Sequence, residues 1–240
     1  MIPDAVADIS PYSWLFFIYA IGFALICSFF HHRSFLKKYA DDFKAFVLYF
    51  ISFFVLLFAL PFNFILFSFP EPFGTLRRLG LQLGDFKLGM LIILIGIPIT
   101  AVLGYISTKN PEIKEQYPFS KKACESPGKF VLYEISYLVF YYVAWEFTFR
   151  GVLLFATIEL MGQNSTGIVV AILIQTIIAT IYHLGHSSME IIGALLGSII
   201  FGIIAYNTHS IFYTIFLHAL LGILNDTVIY FRFRRNRIRG

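Results

Sequence analysis

The chain has 240 residues, of which 58% are hydrophobic, 19% aromatic and only 13% charged. A soluble domain of this size cannot hide so much apolar surface, so the bilayer is its natural solvent. The net charge of +4 is modest, and the positives gather at the ends of apolar runs, which argues against nucleic acid as a partner. Two distant cysteines, Cys27 and Cys124, offer neither a disulfide framework nor a thiolate metal cluster.

In chain order, the amino-terminal MIPDAVADIS is acidic, and no cleavable signal peptide is expected from it. Apolar runs long enough to span follow near 11–30, 45–69, 88–107, 130–157, 167–184, 190–206 and 209–231. They predict an all-α fold: a polytopic integral membrane helical bundle of about seven transmembrane helices, with six to eight as the range. The whole of 1–240 reads as a single membrane domain. The run 190–206 fits a full span or a shallow, tilted helix. Pro61 and Asn63 in the second run predict a kink with its own hydrogen bonds. The many aromatics, such as FFIY at 16–19, are expected to face lipid or pack.

Basic residues set the orientation. Arg33, Lys37, Lys38 and Lys44 lie in 31–44, and five lysines lie in 108–129. The tail RFRRNRIRG (232–240) adds five arginines, a composition suited to anionic lipid. With seven spans these three segments share one side, expected to be the cytoplasm of a cell-membrane protein. Arg77, Arg78 and Lys87 run against that bias. Asn164-Ser165-Thr166 matches a glycosylation acceptor, but reads better as a polar turn between spans.

Charge inside a bilayer calls for a partner or a task. In WEFTFRG (145–151), Glu146 and Arg150 are four apart and share a helix face. His183 ends the fifth run and His218 lies inside the seventh. His186 and Glu190 follow His183 across the turn HLGHSSME, and Asn225 and Asp226 stand two turns beyond His218. A carboxylate, two imidazoles and a terminal acid or amide on separate spans can activate water and stabilise an oxyanion. On straight helices His183 would lie roughly 9 Å deeper than Glu146. His183, His186 and His218, with Glu146 or Glu190, are also a conceivable zinc set. The sequence has no H-E-x-x-H, however, and no cofactor is expected.

The region from about 130 to 231 resembles the CAAX-protease and bacteriocin-processing (Abi) family of intramembrane glutamic endopeptidases. That family's first motif is a glutamate pair followed by arginine and often glycine, matched here by Trp145, Glu146, Arg150 and Gly151. Its second ends in a histidine four after a marker residue, here Ala179 and His183. Its third is a later histidine, His218, followed in the family by asparagine four residues on, where this chain has Gly222. The chain is similar to a branch reading W-E-F-x-F-R-G, with His183-Leu184-Gly185 and Glu190 behind it.

The resemblance implies hydrolysis of a peptide bond in a membrane-associated protein or peptide. Glu146 would activate water, His183 and His218 would position it or hold the oxyanion, and Arg150 would brace the carboxylate. Trp145 stands where the family's prenyl-protein proteases carry their base, and it cannot accept a proton. Glu190 is an alternative base, and Asn225 or Asp226 an alternative to the missing asparagine. A non-catalytic relative, acting in bacteriocin immunity or as a membrane scaffold, stays open beside the enzyme. A proton-coupled carrier fits less well, because the polar residues gather in the carboxy-terminal half.

Overall fold

The computed structural model describes residues 10–29, 38–39 and 42–239, with side chains as far as 235. Residues 1–9 and the loop residues Arg33 and Lys37 lie outside the described residues. No strand occurs among the described residues, and seven helices are long and apolar enough to cross a membrane. The spanning helices are α1 (Pro11–Phe29), α2 (Phe43–Ser68), α4 (Phe86–Ser107), α6 (Pro127–Met161), α7 (Ser165–Tyr182), α8 (Ser188–Thr208) and α9 (Phe212–Arg239). Two short helices, α3 (Pro72–Arg78) and α5 (Pro111–Gln116), sit in the connections. The protein is a polytopic membrane helical bundle.

Local chemistry sets the helix starts. Asp42, Asp85, Ser126 and Ser187 each accept from the backbone N–H three residues on, and proline follows the caps Asn110 and Ser126 directly. Asn164 caps α7 by accepting from Gly167 N at 2.9 Å, so the acceptor-like tripeptide serves as a helix start. The run at 190–206 forms a continuous helix, Ser188–Thr208.

Helix α6 is the centre of the bundle: 78% of its spanning window is buried, against 17–33% for the other six. Tyr133, Tyr137, Tyr141, Trp145 and Phe149 form its aromatic stripe, and Phe50 and Phe53 of α2 stack on it. A spacing of four outruns the 3.6-residue α-turn. Wide π-helical turns at Tyr137–Tyr142 and Phe147–Ala156 absorb the excess and hold the stripe on one face.

A third π-turn, Val55–Ala59, interrupts α2 just before Pro61. There the Leu57 carbonyl accepts from Tyr19 Oη at 3.0 Å and Thr148 Oγ1 at 3.2 Å, which fastens α1, α2 and α6 together. Asn63 donates to the Ala59 carbonyl, so Pro61 and Asn63 do mark an irregular turn closed by its own hydrogen bonds. Small residues set the α4–α9 contact: a Cβ on Gly89 would lie 2.0 Å from the Tyr213 ring.

The described parts of the basic segments meet at one end. Arg232 donates to the Thr108 carbonyl, and Phe46 stacks on Phe119, so the tail, the start of α2 and the α4–α6 connection meet there. The opposite end is tied by Ile211 N to Gly80 O and Asp85 N to Thr208 O. Arg78, in the dissenting connection, lies 3.7 Å from Glu71 and donates to Thr75.

Candidate functional site

Glu146 closes a short α-helical stretch of α6, and Arg150 lies in the π-helical stretch that follows. Arg150 Nη1 is 3.3 Å from Glu146 Oε1, with both side chains at most 2% exposed. The other terminal nitrogen, Nη2, donates to Ser198 Oγ on α8 at 3.3 Å, and the guanidinium lies over the Phe149 and Phe201 rings. Gln175 of α7 donates to the Ser198 carbonyl and to Thr176, which closes this polar layer from the far side. Arg150 thus couples the buried carboxylate to α8.

His218 reaches the same carboxylate from α9, its Nδ1 2.6 Å from Glu146 Oε1. A carboxylate accepts, so Nδ1 donates, and in the neutral imidazole Nε2 is then an acceptor. With 23% of its side chain exposed, His218 is the accessible member of the pair. Phe201 and Tyr142 pack on its ring, at 5.7 and 4.8 Å between centroids.

His183 ends α7 and bonds through Nδ1 to the Ala179 carbonyl at 2.7 Å, which again leaves Nε2 as an acceptor. Trp145 joins the two histidines, its ring 5.2 Å from His183 and 6.2 Å from His218. The depth gap expected of straight helices narrows because α6 runs on to Met161. That adds four residues, about 6 Å, between Glu146 and the far end, while the earlier start of α7 at Ser165 adds two, about 3 Å, before His183.

His183 lies just outside the spans, and burial pushes its imidazole down to about 4. As pH falls, the unfolded chain takes up this proton before the folded one. The stability contribution is therefore complete above pH of about 6.5 and is lost as pH falls toward 4. His183→Asn should flatten the decline in melting temperature across that window, as read by thermal unfolding in detergent.

The remaining candidates stand apart from Glu146. Asn225 accepts from Ser107 of α4 and donates to Asp226, so it clamps α4 to α9. Glu190 pairs with His186 and accepts from Tyr117. The nitrogens Nδ1 of His183, His186 and His218 are engaged by Ala179 O, Glu190 and Glu146 respectively. Among the described residues, no group of three or more His, Cys, Asp or Glu side chains could hold a metal ion.

Several residues of this region escaped the sequence reading. A Cβ on Gly222 would stand 1.8 Å from Tyr142 Oη, so the space beside His218 that a side chain at 222 would enter holds the tyrosine. Gly222→Ala should displace that ring and cost about 1–3 kcal/mol, measurable as a lowered melting temperature. Ser198 and Gln175 carried no visible pattern. Glu134, an acid within a predicted span, did carry a signal that the reading passed over.

Residues 127–224 match the family model described as type II CAAX prenyl endopeptidase, Rce1-like. At the family level this segment is homologous to the CAAX/Rce1-like intramembrane proteases. The segment runs from the start of α6 to the middle of α9 and includes Glu146, Arg150, His183 and His218. No curated protein and no solved structure matches the chain.

Proposed function

We propose that the protein is an intramembrane endopeptidase that hydrolyses a peptide bond in a membrane-associated protein or peptide. The observation that carries this reading is the Glu146–His218 contact of 2.6 Å, backed by Arg150 at 3.3 Å, within a segment homologous to membrane proteases. Glu146 activates water through the imidazole it holds. Water gives its proton to His218 Nε2, and the carboxylate stabilises the imidazolium that forms. The resulting hydroxide adds to the scissile carbonyl, and His218 then returns the proton to the leaving amine. His183, neutral and accepting at Nε2, orients the water. Arg150 holds Glu146 in place.

We place the chain in the branch reading W-E-F-x-F-R-G, in a cell membrane, with the basic end and carboxy-terminus cytoplasmic. The arrangement does not single out a prenylated substrate.

One observation favours a second reading. Glu146 is wholly buried and ion-paired, as expected of a group that only fixes packing, and Trp145 has no carboxylate to replace it. A non-catalytic immunity or scaffold protein would use the fold in that way. The two readings part on incubation of the purified protein, in lipid nanodiscs, with a library of membrane peptides. The enzyme predicts products from the wild type, with or without chelator, and none from Glu146→Gln. No cleavage by either protein, together with a cellular phenotype that survives the substitution, favours the second reading, and equal cleavage by both would assign the hydrolysis to a base other than Glu146.

A further inference from the structure

Glu190 occupies the third position of α8, where the Ser187-x-x-Glu190 pattern normally makes a reciprocal cap. Half of that cap forms: Ser187 Oγ accepts from Glu190 N at 3.2 Å. The carboxylate itself turns elsewhere. Its Oε1 accepts from Tyr117 Oη at 2.6 Å and lies 2.5 Å from His186 Nδ1, while Oε2 is buried without a hydrogen-bond partner. The glutamate has left its local role for a longer-range one.

Tyr117 belongs to the connection after α5, which lies along the start of α8. Gln116 Nε2 is 2.6 Å from His186 Nδ1, Asn110 approaches Met189, and Phe119 meets the His186 ring edge-on. This strap covers the basic end of the region that holds His183, whose ring is 5.3 Å from that of His186. The Glu190 side chain is 14% exposed, within reach of a group arriving from that end.

The interior behind it is rich in acids. Asp226 is wholly buried, lies within electrostatic reach of Glu190, and leaves Oδ2 unpartnered. Glu134 lies within reach of Asp226, is 8% exposed, and leaves both carboxylate oxygens unpartnered. Lys121 faces Asp226, but its Nζ also caps the Lys114 and Tyr117 carbonyls. Arg150 is the one buried Arg or Lys among the described residues, and it is committed to Glu146. Glu190 is the acid of this group whose side chain is partly exposed, and its unpartnered Oε2 leaves it able to accept a charge-assisted hydrogen bond from an incoming cation.

We propose that Glu190 is the subsite for a lysine or arginine in the juxtamembrane flank of the membrane substrate, with Tyr117 holding that place until the substrate arrives. This rests on the reading of the site as one that takes a membrane peptide. The source of the cation follows from topology. Lys109, Lys114, Lys121, Lys122, Arg232 and Arg234 cluster at this end of the bundle. Proteins that share a membrane carry their basic flanks on the same face. A partner's span would therefore present Lys or Arg to Glu190. An ammonium or guanidinium in place of the phenol hydroxyl makes a charge-assisted hydrogen bond, the stronger kind. Glu190 would then choose substrates, while Glu146 and His218 perform the chemistry.

Binding tests this without turnover. A fluorescent single-span peptide with either Lys or Gln beside its span is titrated against the protein in nanodiscs, in a Glu146→Gln background. The Lys peptide should bind about tenfold tighter than the Gln peptide. The preference should collapse in Glu190→Gln and pass to a Glu-flanked peptide in Glu190→Lys. Tyr117→Phe, which removes only the competing hydroxyl, should tighten Lys-peptide binding and serves if the Glu190 variants do not fold. No Lys preference, one of equal size in Glu190→Gln, or a Tyr117→Phe protein that binds no tighter would overturn the proposal. Lys-selective binding by a wild type that cleaves nothing sinks the peptidase reading and leaves the subsite standing. Glu146-dependent cleavage without Lys selectivity does the reverse.

Discussion

Arg150→Leu is expected to destabilise the folded bundle by about 3–5 kcal/mol, because it takes the guanidinium from a wholly buried carboxylate and leaves His218 to compensate it. Arg150 is 2% exposed and Glu146 wholly buried, so solvent offers no substitute. Ser198 also loses its guanidinium donor. Arg150→Lys should recover only part of the loss, since an ammonium cannot span Glu146 and Ser198 as a planar fork does. Thermal unfolding in detergent reads both variants. A melting temperature unchanged in Arg150→Leu would mean that Glu146 is neutral or that the His218 contact alone compensates it.

The second large effect concerns turnover. Glu146→Gln and His218→Gln should each lower kcat by about 10²–10⁴, the range of a positioned acid–base group. The double variant should be hardly worse than either single one, because the proposed mechanism puts the two side chains in one proton relay. Losses that multiply would assign the residues to separate steps. The contact supports the shared action proposed above: one oxygen of Glu146 meets both Arg150 and His218, so the carboxylate fixes the imidazole. Glu146→Gln keeps the shape of the site and removes the charge that would stabilise the imidazolium.

The spans were legible because a bilayer imposes a minimum apolar length, and each run became a helix. Their ends were less so. The central run gains three residues at its start and four at its end. Ser126 and Pro127 cap it ahead of the apolar stretch, and Thr157 and Glu159 lie within its last turns. Its π-turns went unread, although Tyr133, Tyr137, Tyr141, Trp145 and Phe149 recur at a spacing of four that an ordinary α-helix cannot keep on one face.

The site divides along the same line. Glu146 and Arg150 were legible as a pair because an i, i+4 relation is local. The His218 contact spans 72 residues and depends on how α9 packs against α6, which no local pattern encodes. Tyr117 lies in a connection without periodicity, and only the fold brings it to Glu190. Gly222 was visible as a departure from the family motif, but not its consequence, since the Tyr142 hydroxyl that fills the space comes from another helix.

The most direct measurement is mass spectrometry of membrane peptides incubated with the reconstituted protein in ¹⁸O-labelled water, wild type beside Glu146→Gln. The account predicts new carboxy-termini carrying ¹⁸O from the wild type, and a loss of these products by about 10²-fold or more in the variant. Equal labelled product from both proteins would contradict it, and would return Glu146 and Arg150 to the packing of the bundle alone.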